Sequence, residues 1–151
     1  MYACKLGHTS IVGYIIEQLK DTLDRKAVVS NTGSDCVHLA AHSSDLDLLS
    51  LLIENKFELF NQNKKGDLAL HIALRFNNND LTSILLEQTT LMSAYSLNVE
   101  NKTEKLTPYM LALMKGNYIV AEELEKRKLC SRSYKNADDE SIFDIAERLD
   151  I

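Results

Sequence analysis

A unit of about 33 residues recurs along this chain, and this repetition constrains the fold more than any other feature of the sequence. A shift of the sequence by 33 positions brings eight identical pairs together within a window of 22 residues. The pairs are Gly33/Gly66, His38/His71, Ala40/Ala73, Asp47/Asp80, Leu48/Leu81, Ser50/Ser83, Leu52/Leu85 and Glu54/Glu87. Ordinary composition gives roughly one or two such identities by chance. The stretch around His38 is therefore one copy of a repeated unit.

The same alanine position can be followed through five copies of the unit. Ala40 and Ala73 occupy it in the two matched copies, and the other copies place Ala3, Ala112 and Ala146 there. The intervals between these alanines are 37, 33, 39 and 34 residues, so the extra residues are expected between units, where loops tolerate insertion. The longest interval carries four apolar residues that are expected to cover the edge of the core or, alternatively, to present an apolar contact. They are Leu91, Met92, Tyr95 and Leu97.

Each copy reads as two short helices. Asp35, Thr107 and Ser141 stand where an N-cap is needed, and Pro108, the only proline, follows at the first helical position. The first helix carries small residues that permit close helix approach. The second helix, as in "LDLLSLLIE", is apolar nearly all round, which is typical of a helix packed between neighbours. The sequence therefore predicts an all-α fold.

These residues resemble the ankyrin repeat over essentially the whole chain. The segments "GSDCVHLAA", "GDLALHIAL" and "LTPYMLALMKGN" match its first half, and "KLGHTSIVGYII" matches its second half. The resemblance implies a solenoid of stacked helix–turn–helix units with short hairpin-like loops. Lys105 stands where the family has its turn glycine and Leu68 where it has its capping threonine, so those two turns are expected to be less regular.

The repeat frame divides a single ankyrin-repeat domain, residues 1–151, into five parts. They are a partial repeat over 1–30, repeats over about 31–61, 62–100 and 101–134, and a partial repeat over 135–151. The chain opens inside a first helix and closes just after another. Since terminal repeats normally carry a polar outer face, this pattern favours a fragment of a longer array.

Three polar residues on one helix raise the alternative of a metal site. His38 and His42 are four residues apart and Asp35 precedes them, but the glutamate of a zinc-protease helix is missing. His38 recurs as His71, and the resemblance implies a structural hydrogen bond between repeats for both. The sequence "HSSD" lacks the spatial arrangement that an activated serine needs. We expect no enzyme activity, no cofactor and no metal.

The resemblance implies that the hairpin tips and the exposed side of the first helices form a concave groove that binds a partner protein. The candidate residues are Lys5, His42, Lys64, Lys65, Arg75, Phe76, Met114 and Lys115. Most are basic, although the net charge of the chain is −5. One hypothesis is a recognition groove for an acidic protein segment, and the alternative is an ordinary solvated face.

Bulk properties limit the setting in which the chain works. A net charge of −5 argues against nucleic acid as the partner. No apolar run reaches the roughly 18 residues that a membrane span requires. The three cysteines, Cys4, Cys36 and Cys130, are widely spaced, which fits reduced thiols in a cytoplasmic or nuclear protein. We expect a monomeric interaction scaffold, or alternatively the docking region of a larger polypeptide with a separate effector domain.

Overall fold

The structure, a computed structural model, describes residues 1–19, 29–89, 97–127, 130, 135–136 and 138–149. These residues form nine helices and no strand. The helices are α1 (Tyr2–Lys5), α2 (Thr9–Gln18), α3 (Cys36–Ser43), α4 (Leu46–Glu54), α5 (Ala69–Arg75), α6 (Asn79–Glu87), α7 (Pro108–Met114), α8 (Tyr118–Lys126) and α9 (Ile142–Leu149).

The helices stack in two layers. The first helices of successive units, α1, α3, α5, α7 and α9, each contact the next in that order. The second helices do the same, with α2 against α4, α4 against α6 and α6 against α8. Each unit is closed by the packing of its own pair of helices, such as α3 on α4. The predicted all-α solenoid is therefore confirmed.

Small residues let the first helices approach closely, as the sequence predicted. Ala40, Ala73 and Ala112 are completely buried between neighbouring helices. The second helices supply the larger apolar groups, and Leu52 of α4 and Leu85 of α6 are equally inaccessible. Side chains in such a close-packed interior cannot change volume without cost, so the pattern of small and large residues determines the spacing of the layers.

The predicted helix caps are present. The carboxylate of Asp35 accepts hydrogen bonds from the amides of Val37 and His38, both at 3.0 Å. Thr107 caps α7 through the amide of Met110, and Pro108 opens that helix. Ser141 and Asp144 cap α9 reciprocally, because each side chain accepts from the backbone amide of the other.

A tight turn precedes α3, α5, α7 and α9, and we call these turns fingers: residues 30–34, 63–67, 101–106 and 136–140, of which residue 137 lies outside the described residues. Backbone hydrogen bonds close each one between its first and last residues. The left-handed position is taken by Gly33, Gly66, Lys105 and Asp139, with φ between 60° and 76°. The Lys105 turn is less regular only in length, since it closes over one residue more than the others; its left-handed backbone is unchanged.

Some sequence predictions fall on residues outside the described ranges. Leu97 is buried, which confirms that this residue covers the core. Leu91, Met92 and Tyr95 lie outside the described residues, as do residues 20–28 of the first partial repeat and 131–134 at the end of the fourth unit.

Candidate partner-binding surface

The first three fingers are joined edge to edge by backbone hydrogen bonds. The amide of Lys64 donates to the carbonyl of Thr32 at 3.0 Å, and the amide of Lys102 donates to the carbonyl of Lys65 at 2.7 Å. The approach is so close that a Cβ atom at Gly33 would lie 2.9 Å from the Lys64 nitrogen. Successive fingers therefore form one continuous surface.

Three exposed lysines project from these joined fingers: Lys64, Lys65 and Lys102. Within the described part of the chain, no carboxylate forms an ion pair with any of them. Lys102 was missing from the sequence candidates, because the longer turn of the third finger shifts the register there by one residue. The uneven interval of 39 residues between Ala73 and Ala112 was the available signal for this shift.

The C-terminal ends of the first helices, opposite the ends that follow the fingers, carry an apolar patch. The rings of His42 and Phe76 pack edge to face, with their centroids 5.2 Å apart. Phe76 remains 53% exposed although its side chain is hydrophobic. Met114, at the end of α7, is half-buried, while Lys5 and Lys115 are exposed. The sequence candidates on neighbouring helices thus meet at His42 and Phe76.

Arg75 lies on this surface, but its charge is paired. The guanidinium contacts a carboxylate oxygen of Asp67 at 3.0 Å and one of Glu104 at 2.7 Å. Asn101, fully buried, donates to the same two carboxylates. The repeat register made Arg75 a candidate partner-binding residue, and in the structure its charge is shared with these two carboxylates. Arg75 holds the second and third fingers together.

The same network shifts two pKa values. Burial opposes the charge of Arg75, but the hydrogen bonds that it donates to Glu104 and Asp67 raise its pKa above the ordinary value. Burial also opposes ionisation of Glu104, yet its hydrogen bond with Arg75 leaves the pKa of that carboxyl lowered. Both groups are therefore charged at neutral pH, and little positive field is left at Arg75 to attract a partner.

His38 and His71 bridge neighbouring units, as the resemblance to the ankyrin repeat implied. Nε2 of His38 lies 2.9 Å from the carbonyl oxygen of Asp67, and Nε2 of His71 lies 3.1 Å from that of Leu106. At Nδ1 the two histidines differ, because His38 meets the Asp35 carboxylate at 2.7 Å whereas His71 accepts from the Leu68 amide at 3.0 Å. Both ring nitrogens of each histidine are therefore engaged in holding the stack.

This difference gives the two histidines opposite pKa shifts. Burial by itself disfavours the charged form of His38, but the hydrogen bond and charge of Asp35 raise its pKa above the usual value. Burial lowers the pKa of His71 to about 4, and the hydrogen bond to Leu106 opposes this only in part. At neutral pH His71 is neutral and carries its proton on Nε2.

The described residues contain no cluster of three or more His, Cys, Asp or Glu side chains suited to a metal ion. In the same part of the chain, no helix has both the length and the apolar character to cross a membrane.

Stacked helix pairs joined by closely paired fingers define a solenoid repeat protein. The chain belongs to the ankyrin-repeat family: the family model for ankyrin repeats matches it over residues 1–94, with three copies. Ankyrin repeats are protein-interaction modules.

Several curated proteins share this sequence pattern. The chain is 34% identical to the NF-kappa-B inhibitor cactus of Drosophila melanogaster and of Drosophila yakuba. The alignment with each covers 97 residues, or 63% of this chain. It is 35% identical to the eye-specific diacylglycerol kinase of Drosophila melanogaster. That alignment covers 65 residues, or 43% of this chain. The matched segments span 18–19% of the two cactus proteins and 4% of the kinase.

Proposed function

We propose that this chain binds a partner protein through the surface formed by Lys64, Lys65 and Lys102 of the fingers and the neighbouring pair His42 and Phe76. The observation that supports this most strongly is the combination of three exposed lysines on joined fingers, none paired with a carboxylate of the described residues, with an exposed aromatic ring at the end of α5. Aromatic residues act as anchors at protein interfaces, and a cluster of charge steers association.

An acidic, partly apolar segment is the partner chemistry that fits this surface. Lys64, Lys65 and Lys102 provide positive charge that no carboxylate in the described ranges pairs with, whereas Arg75 is neutralised by Asp67 and Glu104. Steering by these lysines should weaken with salt, because the Debye length falls from about 10 Å at 0.1 M to about 3 Å at 1 M. Lys5, Met114 and Lys115 extend the same row of helix ends, and the proposal includes them as peripheral contacts.

The relationship to cactus suggests which partner to test first. Two of the proteins that this chain resembles are NF-kappa-B inhibitors, and the 97 matched residues cover the greater part of the chain. We therefore propose a protein of the NF-kappa-B type as the first candidate partner, bound without any catalytic step. On this proposal the chain acts as a monomer.

The test measures binding of immobilised chain to a Drosophila NF-kappa-B protein by surface plasmon resonance at two salt concentrations. The double variant Lys64→Glu/Lys65→Glu should slow association about tenfold at 0.1 M salt, with a smaller effect at 1 M. Glu54→Lys/Glu87→Lys is the matched control, since it also changes the charge of two exposed residues but on the second helices. Equal loss in both variants would assign the partner to another surface, and no binding of the unchanged chain would refute this partner.

A docking region of a larger polypeptide is the second candidate. It is favoured by the match to a diacylglycerol kinase, in which the similar segment is 4% of the protein. The complete transcript decides between the two: an open reading frame that continues into an effector domain supports docking, and one without such a domain supports the separate scaffold.

A further inference from the structure

Two cysteines that are far apart in sequence lie side by side in the structure. Cys4 is in α1, and Cys36 is the first residue of α3 in the next unit. Their sulfur atoms are 2.8 Å apart, which is within hydrogen-bond distance. Both side chains are buried, at 1% and 5% exposure. The spacing of 32 residues, close to one repeat, brings them together at the junction of two first helices.

This separation is suited to bond formation. A disulfide bond is about 2.05 Å long, so the two sulfurs need to approach by only about 0.8 Å. The side chains already point at each other, so no new loop has to close. We propose that Cys4 and Cys36 form a reversible disulfide that covalently joins the first two units when the protein meets hydrogen peroxide.

A small oxidant can reach the pair. A cavity of about 60 Å³ borders both thiols and is lined by apolar side chains that include Val12, Ile15 and Phe57. Ile15 is 41% exposed, so the lining extends to the surface. About 10–15 Å³ of space for the centre of a water-sized probe is enough to hold one water molecule, so this cavity has room for hydrogen peroxide.

The chemistry divides the roles of the two thiols. The hydrogen bond with Cys36 lowers the pKa of Cys4 to about 7, although burial acts in the opposite direction. The pKa of Cys36 is raised, first by its hydrogen bond with Cys4 and then by burial. Since the thiolate is the nucleophile, Cys4 reacts first and Cys36 resolves the product.

Two steps complete the oxidation. The Cys4 thiolate attacks one peroxide oxygen, the O–O bond breaks, and hydroxide leaves with a proton as water, which makes a sulfenic acid. The sulfur of Cys36 then attacks the Cys4 sulfur, the S–O bond breaks, and the departing hydroxide takes the Cys36 proton as a second water. Two electrons from the thiol pair thus reduce one peroxide to two waters.

Cys130 provides an internal comparison. It is half-buried, and burial raises the pKa of its thiol to about 12. It should therefore stay reduced at peroxide concentrations that oxidise the pair. The Cys130→Ser variant removes every disulfide that could form through Cys130 and serves as the background for the experiment.

The experiment treats the full chain carrying Cys130→Ser with hydrogen peroxide, stops the reaction with catalase, and alkylates in denaturant with N-ethylmaleimide. We expect no alkylation at either cysteine, a linked peptide containing Cys4 and Cys36 within one chain, and full recovery after dithiothreitol. The melting temperature of the oxidised chain should rise by about 10 °C, because the bond closes a loop of about 33 residues.

Three results would overturn the proposal. They are full alkylation of both cysteines at a peroxide dose that oxidises free dithiothreitol, a link between chains only, and a sulfinic acid at Cys4 without a link. In the Cys36→Ser variant, peroxide should give a sulfenic acid at Cys4 that dimedone traps, with no rise in melting temperature; a rise there would equally refute the proposal. Peptide mapping of the parent chain decides the matter even if that variant does not fold.

Discussion

Replacement of His71 by glutamine should destabilise the stack at neutral pH and much less at acid pH. His71 accepts from the Leu68 amide and donates to the Leu106 carbonyl, and it is completely buried. A glutamine that fails to make both hydrogen bonds leaves buried polar groups unpaired, which costs about 1–3 kcal/mol. That cost applies where the histidine is neutral, near pH 7.

The pKa of His71 determines how this cost changes with pH. Its folded pKa is about 4 and its ordinary value is 6.5, so the unfolded chain binds the proton more readily. The free energy of unfolding of the protein with histidine at this position therefore decreases as the pH falls below 6.5. From pH 7 to pH 5 proton linkage lowers this free energy of unfolding by about 2 kcal/mol. The glutamine variant shows no such decrease, because glutamine binds no proton in this range. The difference between the two proteins should nearly vanish at pH 5.

His38 should show the opposite trend. Its folded pKa is raised by Asp35, so its stabilising effect is complete below the unfolded pKa and declines as the pH rises through the folded pKa. His38→Gln should therefore cost more at pH 5 than at pH 8. The contrast arises because Asp35 in one unit is replaced by Leu68 in the next, which has no carboxylate to hold a proton.

Urea unfolding of the parent chain and three variants at pH 5, 7 and 8 provides the measurement. His42→Gln is the control, since His42 is exposed and its replacement should stay within about 0.5 kcal/mol at every pH. A cost of His71→Gln that is equal at pH 5 and pH 7 would show that this histidine is not held neutral by burial.

Three further substitutions test the fingers and caps. Gly33→Ala should cost at least 1 kcal/mol more than Gly116→Ala, because both have positive φ but only the first would bring a Cβ within 2.9 Å of a backbone nitrogen; equal melting temperatures would refute the close approach. Arg75→Ala should cost about 2 kcal/mol in chemical denaturation, whereas Arg148→Ala, which breaks a more exposed pair, should cost under 1 kcal/mol; similar costs would contradict a buried network. Thr107→Ala should lower stability by about 1 kcal/mol through loss of the α7 cap, and Thr107→Ser should restore most of it.

Local features of the fold could be predicted from the sequence because each depends on a few neighbouring residues. Asp35 and Thr107 cap their helices with their own side chains, and the alanines at the helix contacts mark the register of the stack. The left-handed turn position was also predictable at Gly33 and Gly66. These signals recur with the repeat, so each copy supports the interpretation of the next.

The sequence by itself thus determined the repeat, the helix pairs and the order of stacking. The tertiary structure decided which charges and thiols meet between units. Arg75 looked like an unpaired cation until the third finger brought Glu104 to it across 29 residues, and Cys4 and Cys36 looked unrelated across 32. Hydrogen bonds within one turn follow from local backbone geometry, but contacts between units depend on how closely two separately formed helices and fingers approach. That distance is set by packing of the whole stack.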